Sequence, residues 1–103
     1  MVKIIWTEPA LSYLDEIADY IAIDDSQAAK NFVSKVFEKV ELLEKHPNLG
    51  SIPTEINPIK VYRQLVVSPC RIFYRVKRSE IYIVYVMRGE RILKRKMLTR
   101  FLK

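Results

Sequence analysis

The first half of the chain repeats apolar residues with the period of an amphipathic α-helix. A short apolar run, Val2–Trp6, precedes this pattern and predicts an opening strand. Thr7 can then act as a helix N-cap, because Glu8 and Pro9 both suit the first turn of a helix. The apolar positions that follow at helical spacing are Leu11, Leu14, Ile17, Ala18 and Ile21. The pattern therefore predicts a strand followed by a helix.

An acidic break separates this helix from a second one. The segment Asp24-Asp25-Ser26 interrupts the apolar spacing and offers a new N-cap. The apolar stripe after it, which continues to about Lys45, consists of Ala29, Phe32, Val36, Val40 and Leu43. Lysine and glutamate residues on the other faces include favourable pairs three or four positions apart. Two helices joined by so short a break should form an antiparallel hairpin.

After a proline-containing loop at residues 47–60, the apolar period changes from near 3.6 to 2. This period predicts three strands, Val61–Val67, Arg71–Lys77 and Ile81–Met87. Their connections are short, so neighbouring strands should be antiparallel. From Glu90 onward the spacing is helical again. The predicted order is β-α-α-β-β-β-α, an α+β fold with an N-terminal helical hairpin packed on an antiparallel sheet and a C-terminal helix. We expect residues 1–103 to form one domain.

Alternation within the second predicted strand divides its residues between two faces of the sheet. Arg71 and Arg75 share one face, with Phe73 between them. The other face receives Ile72 and its alternate neighbours. A desolvated guanidinium group is costly, so the Ile72 face should meet the helices. The face that carries the arginines is then expected to be open to solvent.

The two halves of the chain differ in charge. Residues 1–57 contain ten acidic and five basic residues (net −5), whereas residues 58–103 contain two acidic and thirteen basic residues (net +11). The candidate target-binding residues are Arg63, Arg71, Arg75, Arg88 and Arg91. If the strand registers agree, several of them converge on one open, concave face, which favours a polyanion or an acidic protein partner. The alternative is that these arginines only keep an exposed face of the sheet soluble.

Composition argues against several kinds of site. Cys70 is the only cysteine and His46 the only histidine, so we expect no disulfide framework, no metal site and no cofactor. No apolar run approaches the length of a membrane span or signal peptide, so a cytoplasmic location is expected. Arginine can stabilise a charged phosphorane, but His46 and Glu55 are weak candidates for a general base.

Several segments carry a recognisable pattern through their order and spacing. They are His46-Pro47-Asn48-Leu49-Gly50, then Tyr62-Arg63-Gln64-Leu65-Val66, then Arg71-Ile72-Phe73-Tyr74-Arg75-Val76, and finally Val84-Tyr85-Val86-Met87-Arg88-Gly89-Glu90-Arg91. With them, the chain resembles the RelE/ParE superfamily of toxins from type II toxin–antitoxin modules over nearly its whole length. The resemblance implies a hetero-oligomer with a co-expressed antitoxin that wraps around the helices and sheet of the toxin.

The resemblance implies one of two activities. RelE-like members are ribosome-dependent endonucleases that cleave mRNA, and on that branch the catalytic residues would be Arg63, Arg71 and Arg88. RelE-like members usually also have a Tyr or His near the C-terminus. Residues 92–103 of this chain contain neither. ParE-like members lack the nuclease residues and inhibit DNA gyrase. The resemblance therefore favours the ParE branch, with the nuclease and an inactive, antitoxin-binding member as alternatives.

Overall fold

A computed structural model describes residues 2–54 and 61–88 of the protein. The elements are β1 (Lys3–Trp6), α1 (Glu8–Asp24), α2 (Ser26–Glu41), a 3-10 turn (Leu42–Glu44), β2 (Tyr62–Val67), β3 (Cys70–Lys77) and β4 (Glu80–Arg88). This order confirms the predicted α+β fold and its first six elements. The predicted C-terminal helix, with Arg91, lies outside the described residues, as does Glu55.

Both helices begin at the caps that the sequence predicts. The Thr7 Oγ1 atom accepts a hydrogen bond from Ala10 N–H at 3.3 Å and donates one to Ile83 O at 2.8 Å. The first cap therefore also fastens α1 to β4. Asp25 Oδ1 accepts from two backbone N–H groups in the first turn of α2, each at 3.0 Å. Caps of this kind contribute about 1 kcal/mol each, because they satisfy backbone donors that the helix leaves unpaired.

The four strands form one mixed sheet in the order β1-β4-β3-β2. The pairs β2–β3 and β3–β4 are antiparallel, as predicted. β1 is parallel to β4 and pairs with its first half only, from Lys3 opposite Glu80 to Trp6 opposite Ile83. The alternation pattern does not predict this parallel pair, because the two strands are far apart in the sequence. Because β1 forms one edge of the sheet, β2 is the outer strand at the other edge.

The main core lies between the helical hairpin and one face of the sheet. Ile72 and Tyr74 are fully buried there, and Val76 packs against the margin of this core, so the predicted inward face of β3 is confirmed. Leu14 of α1 and Val36 of α2 contribute buried side chains from the hairpin. Each buried aliphatic side chain contributes about 1.5–3 kcal/mol of transfer free energy.

The opposite face of the sheet carries a second apolar cluster. The register between β3 and β4 shifts so that Phe73 pairs with Tyr85 while Tyr74 pairs with Ile83, which makes Val84 the extra residue of a bulge. The cluster consists of Tyr62, Phe73, Val84, Tyr85 and Met87. Phe73 and Val84 are each 0% exposed, so the expectation of an open face was wrong. The physical reason is that apolar side chains from β2, β3 and β4 pack on one another here, and the ring of Tyr13 from α1 packs against Tyr85 at a centroid distance of 4.7 Å.

Candidate functional site

Four of the five predicted target-binding arginines fall within the described residues, and these four do not share one face of the sheet. Arg63 pairs with Tyr74 across β2 and β3, so its side chain lies on the helix-facing side of the sheet. Arg71 and Arg75 lie on the opposite face. Arg88 is at the end of β4, and its position opposite Cys70 puts it on the helix-facing side. Among the described residues, the expected convergence is therefore limited to Arg71 and Arg75.

The sequence contains information that could have placed Arg63 and Arg71 on opposite faces of the sheet. Val67 and Cys70 pair across the two-residue connection. Four positions away from the connection along each strand, Arg63 therefore lies opposite Tyr74. Residues opposite each other in an antiparallel pair share a face. The length of the connection therefore fixes the face of Arg63 once Tyr74 is assigned to the core.

Arg71 is held in one orientation by contacts on its own face of the sheet. Its Nη1 atom donates to Gln64 Oε1 at 3.0 Å, and its Nη2 atom donates to Met87 Sδ at 3.5 Å. Its Cζ atom lies 5.2 Å from the ring centroid of Phe73, within the range of a cation–π interaction. The Arg71 side chain as a whole is half-buried, and its Nε atom is buried. Arg71 is thus a fixed positive charge beside the second apolar cluster.

Arg75 lies two residues further along the same face. Its cross-strand neighbours are Tyr62 on β2 and Tyr82 on β4. The side chain is half-buried. Within the part of the chain that the structure describes, its guanidinium group forms no hydrogen bond or ion pair. Arg75 can therefore form new hydrogen bonds without giving up existing ones.

Arg88 lies against α1. Its Cζ atom is 5.1 Å from the ring centroid of Tyr20, a residue that is 61% exposed. Arg88 and Tyr20 border a hollow between α1 and the end of β4, which Glu16 and Ile17 also line. Arg88 therefore lies against α1, at a hollow that is also lined by Met87, the residue whose sulfur accepts a hydrogen bond from Arg71.

Arg63 and Tyr74 fasten the loop after α2 to the sheet. The Arg63 Nη1 atom donates to Gly50 O at 2.7 Å and to Asn48 O at 3.4 Å. The Tyr74 hydroxyl group accepts from Gly50 N–H at 2.8 Å and donates to Pro47 O at 2.9 Å. We refer to Pro47, Gly50, Arg63 and Tyr74 as the loop latch. No pattern in the sequence indicates this structural contact of Arg63.

These features can be compared with known proteins. A family model described as the ParE toxin of the type II toxin–antitoxin system, parDE, matches residues 4–93. The chain belongs to the ParE toxin family. The match spans both the loop latch and the strands that carry the arginines, so the predicted family is confirmed.

Two relatives are consistent with membership of the ParE family. The candidate toxin Y4kP from Sinorhizobium fredii is 38% identical over 87 residues, which are 82% of this chain and 85% of that protein. A chain from the chromosomal ParDE TA system of P. aeruginosa is 31% identical, with a TM-score of 0.72. That match covers 87% of this chain and 98% of the solved one. Membership of a toxin–antitoxin family implies an antitoxin as partner, as predicted.

In this ParE-family chain, two of the tyrosines that lie beside the arginines, Tyr74 and Tyr82, are poorly suited to act as general bases. Burial raises the pKa of the Tyr74 hydroxyl group above its ordinary value of 10.0, and its two hydrogen bonds are within the latch. Tyr82 donates to Glu80 Oε1 at 2.8 Å, and this hydrogen bond raises the pKa of Tyr82. His46 is exposed on the loop after α2. The arginines can stabilise negative charge, but these two tyrosine hydroxyl groups are not suited to accept a proton from a substrate.

Two further observations apply to residues 2–54 and 61–88. No cluster of three or more histidine, cysteine, aspartate or glutamate residues there could hold a metal ion. Neither α1 nor α2 combines the length and the apolar character that a membrane-crossing helix needs.

Removing the Tyr74 hydroxyl group should weaken the loop latch. We expect Tyr74→Phe to lower the free energy of unfolding by about 1–3 kcal/mol at pH 7, because Gly50 N–H and Pro47 O lose their partner. The variant should also respond less to alkaline pH. Because folding raises the pKa of Tyr74, its contribution is complete below about pH 10 and is lost as the pH rises through the folded-state value.

Urea denaturation between pH 7 and pH 11 tests this expectation. Tyr20→Phe is the matched control, because Tyr20 is 61% exposed and lies outside the latch, so this change should alter stability little. If Tyr74→Phe kept both the neutral-pH stability and the alkaline slope of the wild type, the latch would contribute nothing to folding.

Proposed function

We propose that this ParE-family chain is a toxin that inhibits DNA gyrase and thereby arrests growth, until its cognate antitoxin neutralises it. Membership of the ParE family and the separation of the arginines support this proposal. In it, residues 1–103 form a single toxin domain that acts in the cytoplasm, where gyrase works. The toxin then needs binding contacts on its target rather than catalytic groups.

The position of Arg63 relative to Arg71 is the observation that carries the proposal. A nuclease with Arg63, Arg71 and Arg88 as catalytic residues needs all three around one scissile phosphate group. Arg63 and Arg71 lie on opposite faces of the sheet, and Arg63 is bound to the carbonyl oxygen of Gly50. A single phosphate group cannot contact both. This geometry favours binding to a protein target over cleavage of RNA.

Within this proposal, Arg71 and Arg75 are the main contacts with gyrase, and Arg88 and Arg91 contribute additional positive charge. Arg71 is pre-oriented by Gln64 and Phe73, so little side-chain entropy is lost when it binds a carboxylate or phosphate group. Arg75 has no competing hydrogen bond among the described residues. A bidentate contact from either guanidinium group is a strong, directional interaction.

Two assays, one on purified toxin and one on cells that express it, test the proposed target. We expect the purified toxin to inhibit DNA supercoiling by gyrase, and addition of its antitoxin to restore it. Primer extension on cellular mRNA after induction should show no codon-periodic cleavage. Codon-periodic cleavage with unimpaired supercoiling would assign the chain to the nuclease branch. A folded toxin that binds its antitoxin but has neither activity would be an inactive family member.

Loss of the Arg75 side chain should weaken inhibition without unfolding the protein. A hydrogen bond that involves a charged group contributes about 1.5–3 kcal/mol, so Arg75→Ala should need about ten- to a hundredfold more toxin for half-inhibition. Lys30→Ala, which removes an exposed positive charge from α2, is the matched control and should inhibit like the wild type. Equal inhibition by Arg75→Ala and the wild type would remove Arg75 from the target-binding surface.

A further inference from the structure

β1 covers only the first half of β4. The pairs run from Lys3 opposite Glu80 to Trp6 opposite Ile83, and the chain then leaves the sheet to form α1. Within the described ranges, no strand lies beside residues 85–88 on that side of β4. α1 passes this part of the strand instead, and the hollow between α1 and the end of β4 has a volume of about 270 Å³.

The wall of the hollow is largely apolar and aromatic. Its lining includes Tyr13, Ile17 and Tyr20 from α1 and Tyr85, Val86 and Met87 from β4. The rings of Tyr13 and Tyr85 meet edge to face, with 4.7 Å between their centroids. Tyrosine rings offer both faces and edges against which a further aromatic ring can pack. The wall is therefore suited to an aromatic group.

Charge reaches the hollow from two side chains of opposite sign. In the part of the chain that the structure describes, they are Glu16 on α1 and Arg88 at the end of β4. The Arg88 Cζ atom lies 5.1 Å from the ring centroid of Tyr20. Such stacking uses the face of the guanidinium group and not its N–H donors, which lie in the plane of the group.

Glu16 lies close to this guanidinium group without pairing with it. It precedes Tyr20 by four residues, so the two side chains are neighbours on one face of α1, about 6 Å apart along the helix axis. Glu16 forms no hydrogen bond or ion pair with any other described residue. The hollow thus presents a carboxylate that can accept hydrogen bonds and, about one helical turn away, a guanidinium group.

A matching ligand combines an aromatic ring with two opposite charges. The volume lies just below the roughly 300–1,000 Å³ of pockets that hold drug-sized molecules, so the ligand is small. A purely anionic ligand would meet Glu16, and a purely cationic one would meet Arg88. In a free amino acid, one carbon atom carries both the ammonium and the carboxylate group, which suits two protein charges on adjacent helical turns.

We propose that the hollow between α1 and the end of β4 binds a free aromatic amino acid. The ligand carboxylate binds Arg88, its ammonium group binds Glu16, and its ring packs beside Tyr13 and Tyr85. Both charged contacts are hydrogen bonds between ions, which are the stronger and more directional kind. The inference does not depend on gyrase being the target of the toxin.

NMR titration of the isotopically labelled toxin with L-phenylalanine tests the proposal. We expect a dissociation constant of about 0.1–1 mM, as suits a ligand of this size, with shifts of the Tyr20 and Arg88 amides. N-acetyl-L-phenylalanine lacks the ammonium group and L-phenylalaninamide lacks the carboxylate, so each should bind at least about tenfold more weakly. L-leucine keeps both charges but has no ring, and should bind about threefold more weakly or worse.

Variants of the toxin assign each ligand charge to its partner. Glu16→Gln should no longer prefer L-phenylalanine over N-acetyl-L-phenylalanine, and Arg88→Gln should no longer prefer it over L-phenylalaninamide. Asp15→Asn is the matched control, because it neutralises an exposed carboxylate next to Glu16 but outside the hollow, and it should keep both preferences. Each comparison is made between two ligands on one variant, so a general loss of stability does not imitate the expected result.

Any of three results would overturn the proposal. The first is the absence of shifts at Tyr20 and Arg88 when L-phenylalanine is about tenfold above the expected dissociation constant. The second is equal binding of the three phenylalanine compounds by the wild type, which would make the hollow an apolar cleft that does not use its charges. The third is a full preference for L-phenylalanine in both Glu16→Gln and Arg88→Gln, which would place the binding site elsewhere.

Discussion

Replacing Gly50 with alanine is expected to lower the free energy of unfolding by about 2–5 kcal/mol, the combined cost of overpacking and of a lost buried hydrogen bond. A Cβ atom at this position would lie 2.4 Å from the backbone oxygen of Gln64 and 2.8 Å from Cε1 and Oη of Tyr74. Both neighbours belong to the sheet, so the loop would have to move. The φ angle of Gly50 is not positive, and the requirement is for space alone.

Urea denaturation followed by circular dichroism measures this effect. Asn48→Ala changes an exposed side chain in the same loop and should alter stability by less than about 0.5 kcal/mol. The Gly50→Ala and Tyr74→Phe changes should also be non-additive when combined, because both release the same loop. A Gly50→Ala variant as stable as the wild type would show that the loop adapts without cost, and the latch would lose its importance.

Truncating Phe73 to alanine should lower the free energy of unfolding by about 3–5 kcal/mol, as expected for a fully buried aromatic side chain. Phe73 is 0% exposed and packs with Tyr85, whose ring centroid lies 6.2 Å away. The guanidinium group of Arg71 would also lose the ring above which it is held. A loss of this size would show that the face of the sheet opposite the helices is a second core. A small loss would indicate a solvated basic surface.

Val66→Ala is the matched control for Phe73→Ala, because Val66 lies on the same face of the sheet and is 57% exposed. It should change stability by less than about 0.5 kcal/mol. If the two variants were equally stable, the face opposite the helices would be an open surface after all. Thermal unfolding monitored by circular dichroism is sufficient to rank the three proteins.

Local signals predicted the elements of this fold with accuracy. The caps at Thr7 and Asp25 depend on residues no more than three positions away, so the helix starts could be predicted from the sequence. The change of period after residue 60 predicted β2, β3 and β4 within one residue at each end. The inward direction of Ile72 and Tyr74 followed from alternation and the cost of burying arginine.

The candidate site was less predictable, because it depends on residues brought together from distant parts of the chain. The bulge at Val84 shifts the register within β4, and a shift of one residue reverses the face of every later side chain. The contact between Gly50 and Tyr74 joins residues 24 positions apart. Neither feature has a signature in the local pattern of apolar and polar residues.

By itself, the sequence determined which segments are helices and strands, which face of β3 meets the hairpin, and which family the chain resembles. Only the tertiary structure decided that Arg63 belongs to the loop latch and that Arg71 and Arg75 border a second apolar cluster. The reason is physical: periodicity and capping act over a few residues, whereas strand register, loop docking and edge coverage depend on contacts between distant segments.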